Sequence, residues 1–262
     1  MCLILVAWQA HPAFPLVLAA NRDEFHERPT QPMHWWTRPP VLAGRDDRGG
    51  GTWLAISRAG RLAAVTNYRD PDAVEAVPWR AACSRGALPL AWMETDESAP
   101  AFGARLAAEG GVYDGFNLLY GSSTEGLWYV SNRGAMEPQR LEPGFHAISN
   151  GPLNAPWPKA KWLRETLLEA LRSPVVPLAG LLDALDDRRV PSDDALPRTG
   201  VPLDWERLLG APFIVHPRYG TRASTALTVD GGGRARIAER RFDPDGQVCG
   251  SSAFRLDVPP PA

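Results

Sequence analysis

The order of elements predicts an α+β sandwich: antiparallel sheets with helices packed on their outer faces. Three observations lead there. Strand-like runs fill the opening of the chain and return in its closing section. The clearest helical periodicities lie between them. Strands and helices do not alternate one to one, which argues against a doubly wound parallel sheet. The chain has 262 residues, enough for one large core. It carries no internal repeat and no linker long enough to divide it. Residues 1–258 are therefore expected to form one domain, and 259–262, Pro-Pro-Pro-Ala, a frayed tail.

Taken in order, Leu3–Trp8 and Leu16–Ala20 read as two apolar strands joined by His11-Pro12-Ala13-Phe14-Pro15. Proline fixes φ and lacks an N–H, so that connection is a turn. Folding the hairpin about Ala13 makes opposed residues sum to about 26. Cys2 then falls beside Asp23 and Glu24, one step from Arg22. Phe25 to Pro40 reads as an aromatic- and Pro-rich connection. Gly49-Gly50-Gly51 precedes a strand and not a helix, and no G-K-[ST] follows it. This favours a loop needing positive φ or close backbone approach over a phosphate loop.

Thr52–Ser57 and Arg61–Asn67 form a hairpin, then Asp70 to Pro78 a loop. Trp79–Met93 has helical composition with Pro89 inside it, and Ser98–Glu109 reads as a capped helix. Strand patterns return at Phe116–Tyr120, Leu127–Ser131 and Phe145–Ser149. The clearest helix opens at Trp157-Pro158 and runs to about Arg172, with Ala160, Leu163, Leu167, Leu168 and Leu171 on one face. A second spans Leu178–Leu185, and a short helix follows the loop Arg188–Asp204. Strands close the chain at Phe213–His216, Thr221–Val229, Ala235–Phe242 and, more weakly, Ala253–Val258.

Composition excludes several classes. The net charge of −2 gives no field to draw nucleic acid or an anionic membrane. Hydrophobic residues make up 44% and charged residues 22%, the balance of a soluble globular chain. The apolar start lacks a basic flank and a cleavage site, and it is too interrupted to span a bilayer. A cytoplasmic protein without a transmembrane segment is expected. Cys2, Cys83 and Cys249 are odd in number and widely spaced, which fits a reducing compartment. The five histidines show no metal-ligand spacing, so no metal is expected. Arg is used almost to the exclusion of Lys, with abundant Ala and Pro, which suggests a GC-rich, bacterial genome.

Four constellations could carry chemistry. Cys2, once the initiator Met is removed, would offer a thiol together with an α-amine of pKa near ~7.7–8.0, a built-in base. Arg22 would favour the thiolate, and Asp23 would orient the amine. Read alone, Cys2 is more readily a small buried hydrophobe at a strand start. Asn21-Arg22-Asp23-Glu24 would equally suit a strand leaving for solvent. Asn67 and Asn150 each end an apolar strand, where an amide N–H could hold an oxyanion or simply make a turn. Arg222, between small polar residues, must pair with Asp23 or Glu24 or lie on a solvated face.

Together these segments resemble the NRDE family, whose eukaryotic members are called transport and Golgi organization protein 2. The matching pieces include Met1-Cys2, Asn21-Arg22-Asp23-Glu24-Phe25, Arg28-Pro29-Thr30, Gly50-Gly51-Thr52-Trp53-Leu54, Thr66-Asn67-Tyr68-Arg69, Ser149-Asn150-Gly151-Pro152-Leu153 and Gly220-Thr221-Arg222. They run in order across nearly the whole chain. His26 stands where an aromatic is usual, and Ala43 where glycine is frequent. The resemblance implies an N-terminal nucleophile hydrolase-like fold, a four-layer αββα sandwich. It also implies a relation to cysteine-type bile-salt and penicillin V acylases. By position, Cys2, Arg22, Asp23, Asn67, Asn150 and Arg222 match the catalytic set of those acylases, though Arg22 and Asp23 are adjacent here and more widely spaced there.

Two activities follow as expectations. One is a cysteine-type hydrolase of a carbon–nitrogen bond in a small, partly apolar substrate, with no cofactor. The other is a non-catalytic carrier of haem or an acyl-lipid, since the family is linked to haem trafficking, lipid homeostasis and Golgi organisation. His26, His34 or Cys2 would be the available iron ligands, and nothing in the sequence selects among them.

Overall fold

The computed structural model describes residues 2–69, 83–134 and 137–260, with backbone alone for Cys2. The chain opens with β1 (Cys2–Trp8) and β2 (Leu16–Phe25), paired antiparallel. Opposed residues sum to 24, so Cys2 faces Arg22 and not Asp23 or Glu24. The connection centres on Pro12 instead of Ala13. The Gln9 N–H bonds to the Pro15 carbonyl at 2.6 Å, and the His11 ring accepts the N–H groups of Ala13 and Phe14. Because the shift is two residues, every side chain keeps its face. β2 also runs past Ala20, and Asn21, Arg22 and Asp23 are buried within it. These charges do not mark an exit into solvent.

Next come β3 (Thr30–Trp35), β4 (Val41–Asp46), β5 (Leu54–Ser57) and β6 (Arg61–Asn67). β3 lies inside the segment expected to be irregular. Its Pro32 is tolerated because the strand is a sheet edge whose register slips between Gln31 and His34. The glycine run behaves as a loop: Gly50 has φ 70°, and a Cβ on Gly51 would stand 2.3 Å from the Gly86 backbone. The loop expected at 70–78 and the first residues of the helix expected at 79–93 lie outside the described residues. Within them, α1 spans Ala87–Glu94, which puts Pro89 in its first turn, where no hydrogen bond is lost.

The rest follows as α2 (Ala99–Glu109), β7 (Phe116–Ser122), β8 (Gly126–Ser131), β9 (Gln139–Arg140) and β10 (Gly144–Ile148). Then come α3 (Pro158–Ala170), α4 (Leu178–Ala184), α5 (Leu203–Gly210), β11 (Tyr219–Val229), β12 (Arg234–Phe242) and β13 (Val248–Asp257). Phe213–His216, expected as a strand, is irregular. Its polar backbone is satisfied singly, by Asp187 for the Phe213 N–H and by the Thr221 N–H for the Ile214 carbonyl. β13 is ten residues long where a short strand was expected. It is an edge with little buried surface, so its sequence carries little apolar signal.

Two antiparallel sheets result, ordered β10-β1-β2-β11-β12-β13 and β3-β4-β5-β6-β7-β8-β9. Ile4, Val6, Leu18 and Leu227 of the first meet Leu42, Ile56, Leu62 and Leu119 of the second in the central core. The alternate residues Leu3, Leu5, Val17 and Ala19 pack outward on Leu163 and Leu167 of α3 and Leu181 of α4. Val65, Leu118 and Tyr120 pack outward on Trp92 of α1 and Phe102 of α2. The layers are therefore αββα, the order expected of an N-terminal nucleophile hydrolase-like fold. Each fully buried Leu or Val contributes about 1.5–3 kcal/mol. Among the described residues, no helix is long and apolar enough to cross a membrane.

Candidate active site

A cleft of about 880 Å³ opens where β2, β4 and β6 end and β11 begins. Cys2 pairs along the β1–β2 ladder with Arg22, a residue of the cleft lining.

Arg22 is 5% exposed and lines the cleft. Its guanidinium stacks on Trp53, 4.3 Å from the ring centroid, and Nη1 donates to the Thr30 hydroxyl at 3.3 Å. It forms no ion pair among the described residues. A buried cation held by an aromatic face and one hydroxyl keeps much of its field for a nearby anion.

Asp23 lines the same cleft. Burial pushes its carboxyl above the usual range, while Lys159, the Thr221 hydroxyl and Arg22 offset part of the rise. The Thr221 hydroxyl donates to Asp23 Oδ1 at 2.7 Å. Its partner is thus Thr221, and not the neighbouring Arg222. A bulge between Thr221 and Ala223 takes Arg222 out of the ladder. Arg222 Nη1 donates instead to the carbonyls of Phe25, His26 and Arg28, clamping the turn that follows β2. Arg222 does not line the cleft.

The two asparagines are brought together. Asn150 Nδ2 donates to Asn67 Oδ1 at 2.7 Å and to the Asn67 carbonyl at 3.0 Å. This fixes the Asn67 amide so that Nδ2 has no partner among the described residues, and Asn67 lines the cleft. Asn150 is fully buried behind it and does not. The loop carrying Asn150 is tied down by Asn117, whose Nδ2 donates to the carbonyls of Ser149 and Gly151, with Oδ1 held by the Tyr129 hydroxyl.

Sequence reasoning missed Asn117, Thr221 and Arg69. The last two stand in quoted motifs, one and two residues from sites that were chosen. The Arg69 N–H bonds to the Asn150 carbonyl at 2.8 Å. Its guanidinium meets Thr199 Oγ1 at 2.6 Å and Glu206 at 3.6 Å. Burial lowers its pKa to about 10, with Glu206 opposing the shift.

The remaining walls differ. Phe25, Val201, Trp205, Leu209 and Tyr219 form an apolar side, with Phe25 edge-on to Tyr219 at 5.0 Å. Arg28 and Asp46 form a charged side, joined at 2.6 Å. Burial works against the Asp46 carboxylate, but bonds from Arg28 hold it below the usual range. No histidine lines the cleft, and no cluster of three metal-ligating side chains occurs among the described residues.

Comparison with known proteins agrees with the resemblance seen in sequence. The family model "Transport and Golgi organisation 2" matches residues 1–244. The Homo sapiens Transport and Golgi organization protein 2 homolog is 35% identical, over 92% of each chain. The Bos taurus homolog is 36% identical, over 98% of this chain and 99% of its own. Among solved structures, penicillin V acylase from Agrobacterium tumefaciens aligns with TM-score 0.48 and 12% identity, covering 98% of this chain and 86% of that one. The Caenorhabditis elegans ortholog of N-acylethanolamine-hydrolyzing acid amidase aligns with TM-score 0.45 and 10% identity, covering 86% and 92%.

Proposed function

We propose that this chain, which belongs to the Transport and Golgi organisation 2 family, is an N-terminal cysteine hydrolase of an amide bond in a small, partly apolar substrate. The observation that carries this is the pairing of position 2 with the buried cation Arg22 beside a cleft into which Asn67 presents an amide fixed by Asn150. Once Met1 is removed, the Cys2 amine takes the thiol proton, and Arg22 favours the thiolate. The sulfur attacks the carbonyl carbon, and the oxyanion is held by Asn67 Nδ2. The leaving amine takes the proton back as the C–N bond breaks. Water then hydrolyses the thioester and restores the thiol. Asp23 orients the Cys2 amine, and Asn150 is a positioning residue. Arg222, from the expected set, acts by fixing the turn that follows Asp23. The apolar wall receives the apolar part of the substrate. Free Cys83 and Cys249 support a reducing, cytoplasmic setting.

A second reading, a carrier of haem or an acyl chain, draws on the same apolar wall. His26 and His34 do not line the cleft, and each ring is bonded to a carbonyl, of His216 and Pro32. They do not fit as haem ligands there.

Intact-mass analysis is expected to show loss of Met1, and Cys2 to alkylate faster than Cys83 and Cys249 at neutral pH. An amide panel then separates the readings. Turnover abolished by Cys2→Ala supports the hydrolase. A retained Met1, or equal turnover by that variant, refutes it. Stoichiometric haem or acyl-chain binding without turnover would leave the carrier.

A further inference from the structure

On the other side of Arg69 lies a second cleft, of about 570 Å³, within the size range of small-molecule sites. Three arginines from three separate segments converge on it: Arg69 after β6, Arg133 after β8 and Arg198 before α5. Tyr68, Trp157 and Thr199 complete the wall. No acidic residue lines it among the described residues.

Several arginines outside the cleft are matched to carboxylates: Arg105 to Glu97, Arg189 to Asp187, Arg207 to Asp193, Arg240 to Asp183. Arg198 has neither hydrogen bond nor ion pair among the described residues. The cleft is also built in advance. Thr199 and Glu206 hold Arg69 from behind, and the Thr199 hydroxyl donates in turn to Glu206 at 2.7 Å. A Cβ on Gly151 would stand 2.7 Å from the Trp157 ring, so the indole packs directly on backbone.

Glu206 offsets the charge of Arg69 from behind, whereas an anion within the cleft would offset that of Arg198. A carboxylate is satisfied by one guanidinium binding two oxygens in parallel. A phosphoryl group has more oxygens, pointing apart, and suits several arginines approaching from different directions. We propose that this cleft binds the phosphate group of a small soluble ligand, with Arg198 and Arg133 as its outer contacts and Arg69 as its inner one. Tyr68 and Trp157 take a flat or apolar part next to that phosphate. The site stands whether or not Cys2 reacts.

The test is calorimetric titration of the full-length protein with inorganic pyrophosphate. Saturable binding at one site is expected. Arg198→Gln and Arg133→Gln are each expected to weaken it at least about tenfold, which is about 1.4 kcal/mol. Both side chains reach solvent, and matched thermal melts confirm that the variants fold. Cys2→Ala is expected to bind as the parent does, so a failure of the hydrolase reading leaves this result untouched. The proposal is overturned if pyrophosphate does not bind, if neither variant weakens it, or if succinate binds equally well. Capture on anionic phospholipid vesicles without pyrophosphate binding would overturn it too.

Discussion

Asn150 donates from Nδ2 to Asn67 Oδ1 at 2.7 Å, so the orientation of one amide is set by the other. Asn67 touches the cleft and Asn150 does not. Asn150→Asp removes the donor and sets a carboxylate against Asn67 Oδ1, which would turn the Asn67 amide around. Turnover of whichever amide proves active should fall about 10²–10³-fold, as for Asn67→Ala. Steady-state kinetics on the two variants checks this. Full activity in Asn150→Asp would remove the amide pair from the mechanism.

Arg22 predicts a difference in thiol reactivity. Arg22→Gln withdraws the buried charge facing position 2. Alkylation of Cys2 near neutral pH should slow by about tenfold, the effect of roughly one pKa unit. Cys249, which does not line the cleft, acts as internal control, read by peptide mass after timed quenching.

Glu239 predicts a pH-dependent gain in stability. It is 1% exposed between the sheets, and Oε1 accepts the Met33 N–H at 2.9 Å. Burial raises its pKa, against the Met33 bond and the charges of Arg241, Arg22 and His34. A raised carboxyl favours folding while protonated. That contribution is complete below the unfolded pKa and is lost as pH rises through the folded value. Glu239→Gln keeps the Met33 bond and cannot ionise. It should match the parent in acid and exceed it at neutral pH by on the order of 1 kcal/mol. Denaturant melts across that range will decide, and a difference independent of pH would refute the assignment.

Gly51 predicts a steric cost. Its Cα abuts the Gly86 backbone, and Gly86 lines the cleft just before α1. Gly51→Ala must push α1 away, costing about 1–3 kcal/mol in thermal unfolding.

Much of this architecture was legible in the chain itself. Periodicity located α3, which buries one face, and largely unbroken apolar runs located β1 and β6, which are buried on both faces. What was missed shares a cause. β3 contains a proline and aromatic side chains and forms an edge, so its pattern is broken where pairing is one-sided. The hairpin register shifted because a Gln9–Pro15 backbone bond, invisible in composition, set the turn's centre. Among the candidates, Cys2, Arg22, Asp23, Asn67 and Asn150 are picked out by their places at or near strand ends together with the family resemblance. The partner of Asp23 is not. A bulge decides whether Thr221 or Arg222 faces it, and nothing in the six letters around it announces a bulge.

The order β10-β1-β2-β11 has a consequence for biosynthesis. β1 waits for residues 144–148 to cover one flank, and its partner β2 waits for 219–229. Such long-range closure is slow to nucleate. Through most of synthesis the β1–β2 hairpin therefore keeps both outer edges unpaired, and the sheet that carries Arg22 and Asp23 is complete only when the late strands dock.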